Sequence, residues 1–346
     1  MTMPASSHRR RGLRRIGAVL AAAALGATLA PVVTAEAATF KPADDGAKIT
    51  AYKWLNAQEF DFTVKSPALG SSQNVRVLVP KTWRWTSHAT WPVLYVFHGG
   101  HDTYTSWTRN TNIATTAKAW NAMVVMPEGA NGSYTDWFNY GKGGSPKWET
   151  FHTQEVRQLI ERNYHGGGIR AAMGNSSGGE GSITYAERHP GLFKYAASFS
   201  GPLSLRSPGV PAMLMYTDAN LGVDPYRIWG NPWAPSGSAD AANWTAHDPW
   251  ALAGRLKGTG TGIFFSSGTS GKPGPGDPNV APWDIGLLSE VAVGTTNVAF
   301  RDQMQKLGIP FTSDIYGNGR HAWPAWRREY LKLWPTLMKS IGAKKF

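Results

Sequence analysis

The sequence predicts an α/β fold, a mostly parallel central sheet with helices on both faces, and three observations predict it. Continuous apolar runs at 91–97 and 122–126 read as strands buried on both sides. Such runs alternate with segments of helical period, the pattern of parallel strands joined by crossover helices. Between one such run, 169–173, and a helix-like segment, 182–188, stopped by Pro190, lies Gly174-Asn175-Ser176-Ser177-Gly178, a G-x-S-x-G pattern.

Taken in order, the chain begins with Arg9, Arg10, Arg11, Arg14 and Arg15, then an Ala/Leu/Val run over 16–30 and the A-x-A pattern Ala35-Glu36-Ala37. Residues 1–37 are therefore expected to be a cleaved export signal of a secreted, bacterial protein. The run is too short and alanine-rich to span a bilayer comfortably, so no stable membrane insertion is expected. Of 346 residues with 35 basic and 23 acidic side chains, removal of this segment leaves 309 with 30 and 22. That is enough for a single catalytic domain over 38–346. The positive excess is spread without basic runs or a nucleic-acid module, which suits association with anionic cell walls and not nucleic acid. Cysteine is absent, so thiol catalysis and Cys-based metal sites are excluded, and stability must come from the core.

Beyond a polar opening, the alternations Phe60-Asp61-Phe62-Thr63-Val64 and Val75-Arg76-Val77-Leu78-Val79 predict two half-buried antiparallel strands ending at Pro80. The run 91–97 ends in His98-Gly99-Gly100, and 122–126 ends in Pro127-Glu128-Gly129, with helical potential around 114–121 between them. Phe151, Val156, Leu159 and Ile160 mark an amphipathic helix over 149–164. Further strands are expected at 195–199, 212–216, 262–265 and 311–316, and helices at 287–307 and 323–341. The Trp/Pro/Asn-rich segment 229–250 and the Gly/Pro-rich segment 268–282 read as surface loops. Their functional reading is that they frame a pocket, because loops after sheet strands carry the sites of such folds.

A serine hydroxyl is a weak nucleophile at neutral pH and needs a base within hydrogen-bond reach and a third group to hold that base. In folds that place serine on a strand-to-helix elbow, the order is Ser, acid, His. Of nine histidines only His189, His247 and His321 follow Ser176. His189 ends the elbow's own helix, whereas His321 follows the last strand in a Gly-rich loop, Gly317-Asn318-Gly319-Arg320, and is the expected base. With the usual topology the acid follows the strand at 262–265, among Asp277, Asp284, Glu290 and Asp302, between which the residues alone do not choose. The amide of Ser177 and one from His98-Gly99-Gly100, with Gly100 as donor, are expected to form an oxyanion hole. No H-E-x-x-H or phosphate-cradling Gly-rich loop occurs, and neither metal nor cofactor is expected.

Val125-Met126-Pro127, Tyr134-Thr135-Asp136-Trp137, Lys147-Trp148-Glu149-Thr150-Phe151, the elbow and His321-Ala322-Trp323-Pro324-Ala325-Trp326 together resemble a known family. It is that of the secreted esterases that include the mycolyltransferases of the antigen 85 complex, with the esterase D group more distant. The resemblance runs from about Pro92 to Trp334 and implies the α/β-hydrolase fold. The family's catalytic glutamate lies seven residues before an Asn matched here by Asn297, so the resemblance implies Glu290 as the acid, with Asp277 in reserve. It also implies Gly100 in the oxyanion hole and Trp323 as a wall beside the histidine. His98 stands where the mycolyltransferases carry an Asp that helps hold trehalose, and is expected at the substrate pocket. Their accompanying Arg and loop disulfide have no match here. The expected activity is therefore hydrolysis of small-molecule or lipid acyl esters by a Ser176-His321-Glu290 triad. The alternatives are transfer of the acyl group to a sugar or glycerol hydroxyl, and a non-catalytic cell-wall-binding protein on the same scaffold.

Overall fold

Successive side chains of a strand point to opposite faces, and here both faces are covered. In the strand Trp91–Phe97, Val93, Tyr95 and Phe97 enter one core while Leu94 and Val96 enter another, and in the strand Met123–Pro127, Met123 and Val125 part from Val124 and Met126 in the same way. The computed structural model describes residues 40–346, and the expected export signal lies outside the described residues. The strands are β1 (Lys48–Asn56), β2 (Glu59–Ser66), β3 (Ser71–Leu78), β4 (Trp91–Phe97), β5 (Met123–Pro127), β6 (Gly166–Asn175), β7 (Tyr195–Phe199), β8 (Gly262–Gly268) and β9 (Thr312–Gly317). They form a nine-stranded sheet in the order β1-β2-β3-β5-β4-β6-β7-β8-β9. β1, β2, β3 and β5 pair antiparallel in succession, and every pairing from β5 through β9 is parallel.

The helices are α1 (Ser106–Asn110), α2 (Ile113–Ala117), α3 (Trp148–Thr150), α4 (Arg157–Asn163), α5 (Ser177–Arg188), α6 (Val210–Asn220), α7 (Pro225–Ile228), α8 (Ala239–Ala246), α9 (Pro249–Leu252), α10 (Ile285–Leu307) and α11 (Trp323–Ser340). The first core joins the sheet to the α3–α4 segment, α5 and α10 through Phe151, Leu159, Ile183 and Phe300. The second joins it to α1, α2 and α11 through Trp107, Ile113, Leu333 and Trp334. Because β4, β6, β7, β8 and β9 run parallel, His98, Ser176, Ser200, Gly268 and Gly317 all emerge at one edge, the usual location of a site in such sheets.

Four elements differ from expectation. β1 was hidden because register shifts at Ile49/Ala51 and Trp54/Asn56 break its two-residue alternation, and as an edge strand it buries little. The expected helix at 149–164 is present as α3 and α4, joined by a π-helical turn, Phe151–Val156. The run at 212–216 is not a strand but part of α6. Its Ala, Met and Leu are helix formers without branching at Cβ, Pro211 stands in the first turn, and Tyr216 is 66% exposed, which a buried strand would not allow. Finally, 229–250 is not plain loop: it holds α8 and the start of α9, and Trp229 and Trp244 anchor a third apolar cluster with Met215 of α6.

Candidate active site

Ser176 joins β6 to α5 at φ 52° and ψ −127°, a positive-φ conformation that costs a non-glycine residue about 1–3 kcal/mol. The flanking glycines let the chain pass: a Cβ on Gly174 would lie 2.3 Å from the Gly178 carbonyl oxygen, and one on Gly178 2.5 Å from that of His98. The Ser176 amide donates to the Phe199 carbonyl at 2.9 Å, tying the turn to β7.

The Ser176 Oγ lies 2.8 Å from His321 Nε2, and His321 Nδ1 lies 2.8 Å from Glu290 Oε2. Glu290, 1% exposed, accepts at its other oxygen from the Gly268 amide (2.7 Å), Ser200 Oγ (2.8 Å) and Tyr316 OH (2.9 Å). Burial pushes its carboxyl up, but the hydrogen bond and charge of His321, the Gly268 amide and the Ser200 hydroxyl outweigh burial and hold it below the ordinary carboxylate range. An ionised Glu290 accepts a hydrogen bond from Nδ1–H, which leaves Nε2 free to accept from the serine hydroxyl. α10 reaches β8 this closely because Gly294 abuts Gly268: a Cβ there would lie 2.2 Å from the Gly268 carbonyl oxygen.

The loop bearing His321 is braced at several points. Its amide donates to the Gly286 carbonyl (3.0 Å), the Arg320 guanidinium pairs with Asp284 (2.6 and 3.0 Å), and the Arg320 amide donates to Asp277 Oδ2 (2.8 Å). Asp277, the reserve acid, thus holds the loop one residue away and does not touch the imidazole. The other two later histidines are engaged elsewhere, His189 with Glu149 (2.7 Å) and the buried His247 with the Asn243 carbonyl (2.8 Å).

Ser176 and His321 open into a cavity of about 220 Å³. Gly100 and Ser177 line it on the sheet side, and neither amide donates to a protein acceptor among the described residues. Met213, Leu214 and Leu221, from α6 and its end, and Trp229 form the apolar roof. Segment 268–282 contributes no lining residue, while segment 229–250 contributes Trp229. A larger open groove, about 670 Å³, is lined by Trp54, Trp83 and Trp85 near the β1–β2 turn and holds none of these groups.

Two expectations are corrected. His98 is not in the cavity wall: it is 1% exposed, with Nδ1 2.8 Å from the Gly99 carbonyl and Nε2 2.9 Å from Glu128 Oε1. Burial raises the Glu128 carboxyl, and the hydrogen bond and charge of His98 more than reverse this. Trp323 does not line the cavity either; it packs edge-on against Trp107 and Trp326, and it is Trp326 whose ring meets the His321 imidazole at 5.2 Å and 90°. The one-turn offset on α11 separates the two tryptophans. Ser200 and Tyr316 belong to no motif; their only signal in the sequence is position, each at or just past the carboxyl end of a predicted strand. Among the described residues no three His, Asp or Glu side chains converge to hold a metal ion, and no helix is long and apolar enough to cross a membrane.

Comparison with known proteins gives the same frame. The family model described as "Putative esterase" matches residues 66–333. Diacylglycerol acyltransferase/mycolyltransferase Ag85A of Mycobacterium leprae is 31% identical over 296 residues, 81% of this chain and 82% of its own length. The crystal structure of Mycobacterium tuberculosis MPT51 superposes with a TM-score of 0.66 at 25% identity, covering 84% of this chain and 99% of that one. FphF, a fluorophosphonate-binding serine hydrolase of Staphylococcus aureus solved with substrate bound, gives a TM-score of 0.61 at 18% identity, covering 84% and 98%, a likeness of fold alone. The sheet and its neighbours are those of the α/β-hydrolase fold.

Proposed function

The chain belongs to the esterase family, and from that premise we propose that it is a serine carboxylic-ester hydrolase acting through an acyl-enzyme. The observation that carries the proposal is the unbroken relay Glu290–His321–Ser176, with both links at 2.8 Å, opening into a cavity beside two free amides. Ser176 Oγ attacks the ester carbonyl while His321 Nε2 takes its proton; the oxyanion is held by the Ser177 and Gly100 amides, each such donor being worth about 10²–10³ in rate. His321 then protonates the departing alcohol, a water gives its proton to His321 and attacks the acyl-enzyme, and His321 returns that proton to Ser176 Oγ as the acid leaves. Glu290 stays ionised and steadies the imidazolium at each step. Residues 1–37 act as the export signal, 38–346 as a single catalytic domain, and the mature protein works outside the cell, where its positive excess favours anionic walls.

The second reading is acyl transfer, favoured by the 31% identity to a relative named as an acyltransferase. It differs only in the second nucleophile, a sugar or glycerol hydroxyl in place of water. Incubation with an acyl ester and excess trehalose or glycerol, with free acid and acylated acceptor quantified together, separates them. Free acid alone supports the hydrolase, dominant acylated acceptor supports the transferase, and neither product with no labelling of Ser176 by a fluorophosphonate supports a non-catalytic wall-binding protein.

A further inference from the structure

One wall of the cavity carries two carboxyl groups that the acyl transfer above does not use. Glu180, one turn beyond Ser177 on α5, and Asp218 on α6 both line it, and each is only 4% exposed. Asp218 is occupied: Trp229 Nε1 donates to Oδ2 at 2.9 Å and Ser133 Oγ to Oδ1 at 3.3 Å. Glu180 is half-occupied, with Oε1 accepting from Thr184 Oγ1 at 3.0 Å and Oε2 without a partner among the described residues. Nor is Oε2 sealed in, unlike the two oxygens of Glu187, which are wholly enclosed and unpartnered. No Lys or Arg lines the cavity. A deeply buried carboxyl oxygen left open to the space a substrate must fill is an unmet hydrogen-bonding position.

We propose that Glu180 determines specificity: its free Oε2 hydrogen-bonds a hydroxyl group that the substrate carries a few bonds from the scissile ester, so that hydroxyl-bearing esters are preferred to plain alkyl esters. The inference rests on the esterase reading of the same cavity. A hydroxyl can donate to a carboxylate and accept from a carboxylic acid, so it pairs with Glu180 in either state. An ammonium group gains an ion pair only from the carboxylate, and burial, reinforced by Asp218, drives this carboxyl well above its ordinary range against the pull of the Thr184 hydroxyl. An anionic substrate group would meet Asp218 with no cation in the wall to offset it.

The test uses two matched pairs of esters. β-Hydroxybutanoyl against butanoyl para-nitrophenyl ester puts the hydroxyl on the acyl side; hydroxyethyl against ethyl butanoate puts it on the alcohol side. Wild type should favour the hydroxyl member of at least one pair by about tenfold or more in kcat/KM, because a polar position left unpaired is penalised. Glu180→Leu should bring that ratio close to one, and Glu180→Gln, which keeps hydrogen-bonding capacity, should retain most of it. If the leucine variant does not fold, Glu180→Ala is read in the same way. Equal rates within both pairs, a ratio that survives loss of the carboxyl, or a stronger preference for the β-aminobutanoyl ester would overturn the proposal. Turnover of all esters without discrimination removes this inference alone, whereas no turnover and no fluorophosphonate label on Ser176 removes the esterase reading and the inference together.

Discussion

Replacing Glu290 with Gln changes one oxygen to an NH₂ group and nothing in volume, yet the site has no tolerant place for that group. Glu290 accepts four hydrogen bonds, three of them at Oε1 from Gly268, Ser200 and Tyr316. Turning the NH₂ toward those three sets it against an amide that can only donate, at a cost of about 1–3 kcal/mol for each bond lost. The amide nitrogen therefore turns toward His321 Nδ1 and donates to it, which forces the proton onto Nε2. In that tautomer the imidazole cannot accept the Ser176 proton, the defect that costs serine hydrolases up to about 10⁴-fold in kcat. The expected loss is about 10³-fold in kcat on a para-nitrophenyl ester, with KM little changed and the urea midpoint lowered only slightly. Asp277→Asn, which touches only the Arg320 and Gly274 amides, should lose far less. A Glu290→Gln enzyme within tenfold of wild type, or the reverse order of the two variants, would refute the assignment of the acid.

Other consequences follow from the same geometry. Ser176→Gly should abolish turnover but raise unfolding free energy by about 1 kcal/mol, since the φ of 52° suits glycine; a variant less stable than wild type in urea contradicts the strain argument. His98→Ala should cost about 3 kcal/mol because it strands the Glu128 carboxylate, and a loss below about 1 kcal/mol would show that the pair is not a brace. Burial of His152 between Tyr185 and the Glu128 carbonyl pushes its pKa down to about 3 from an ordinary 6.5. Its neutral form therefore stabilises the fold fully above about pH 6.5, and that contribution is lost toward pH 3 at about 1.4 kcal/mol per unit. The stability advantage of wild type over His152→Gln should accordingly shrink by about 2 kcal/mol between pH 7 and pH 5; an unchanged difference would refute the linkage.

The sheet was legible because its strands obey a simple rule. β4 and β5 are buried on both faces and hence apolar without interruption, and β2 and β3 alternate because each shows one face to polar surroundings. The elbow was legible because sterics leave no room for a side chain at Gly174 or Gly178. Glu290 was not legible from local physics, since an acid near a helix start is common and the hydrogen bonds that mark this one come from β7, β8 and β9. The roof of the cavity was misread for a related reason. A short apolar run at 212–216 fits a strand or a helix equally, and only Pro211 in the first turn and the exposure of Tyr216 decide it. His98 and Trp323 were expected at the pocket from the family resemblance, which places a residue near a site without saying which way its side chain turns.

The most direct measurement of the central claim is mass-spectrometric mapping of the protein after reaction with a fluorophosphonate, alongside ester turnover. One label per chain is expected, on Ser176, lost in Ser176→Ala and in His321→Ala together with hydrolysis. An unlabelled Ser176 in a protein that still hydrolyses esters, or a label on another serine, would contradict it.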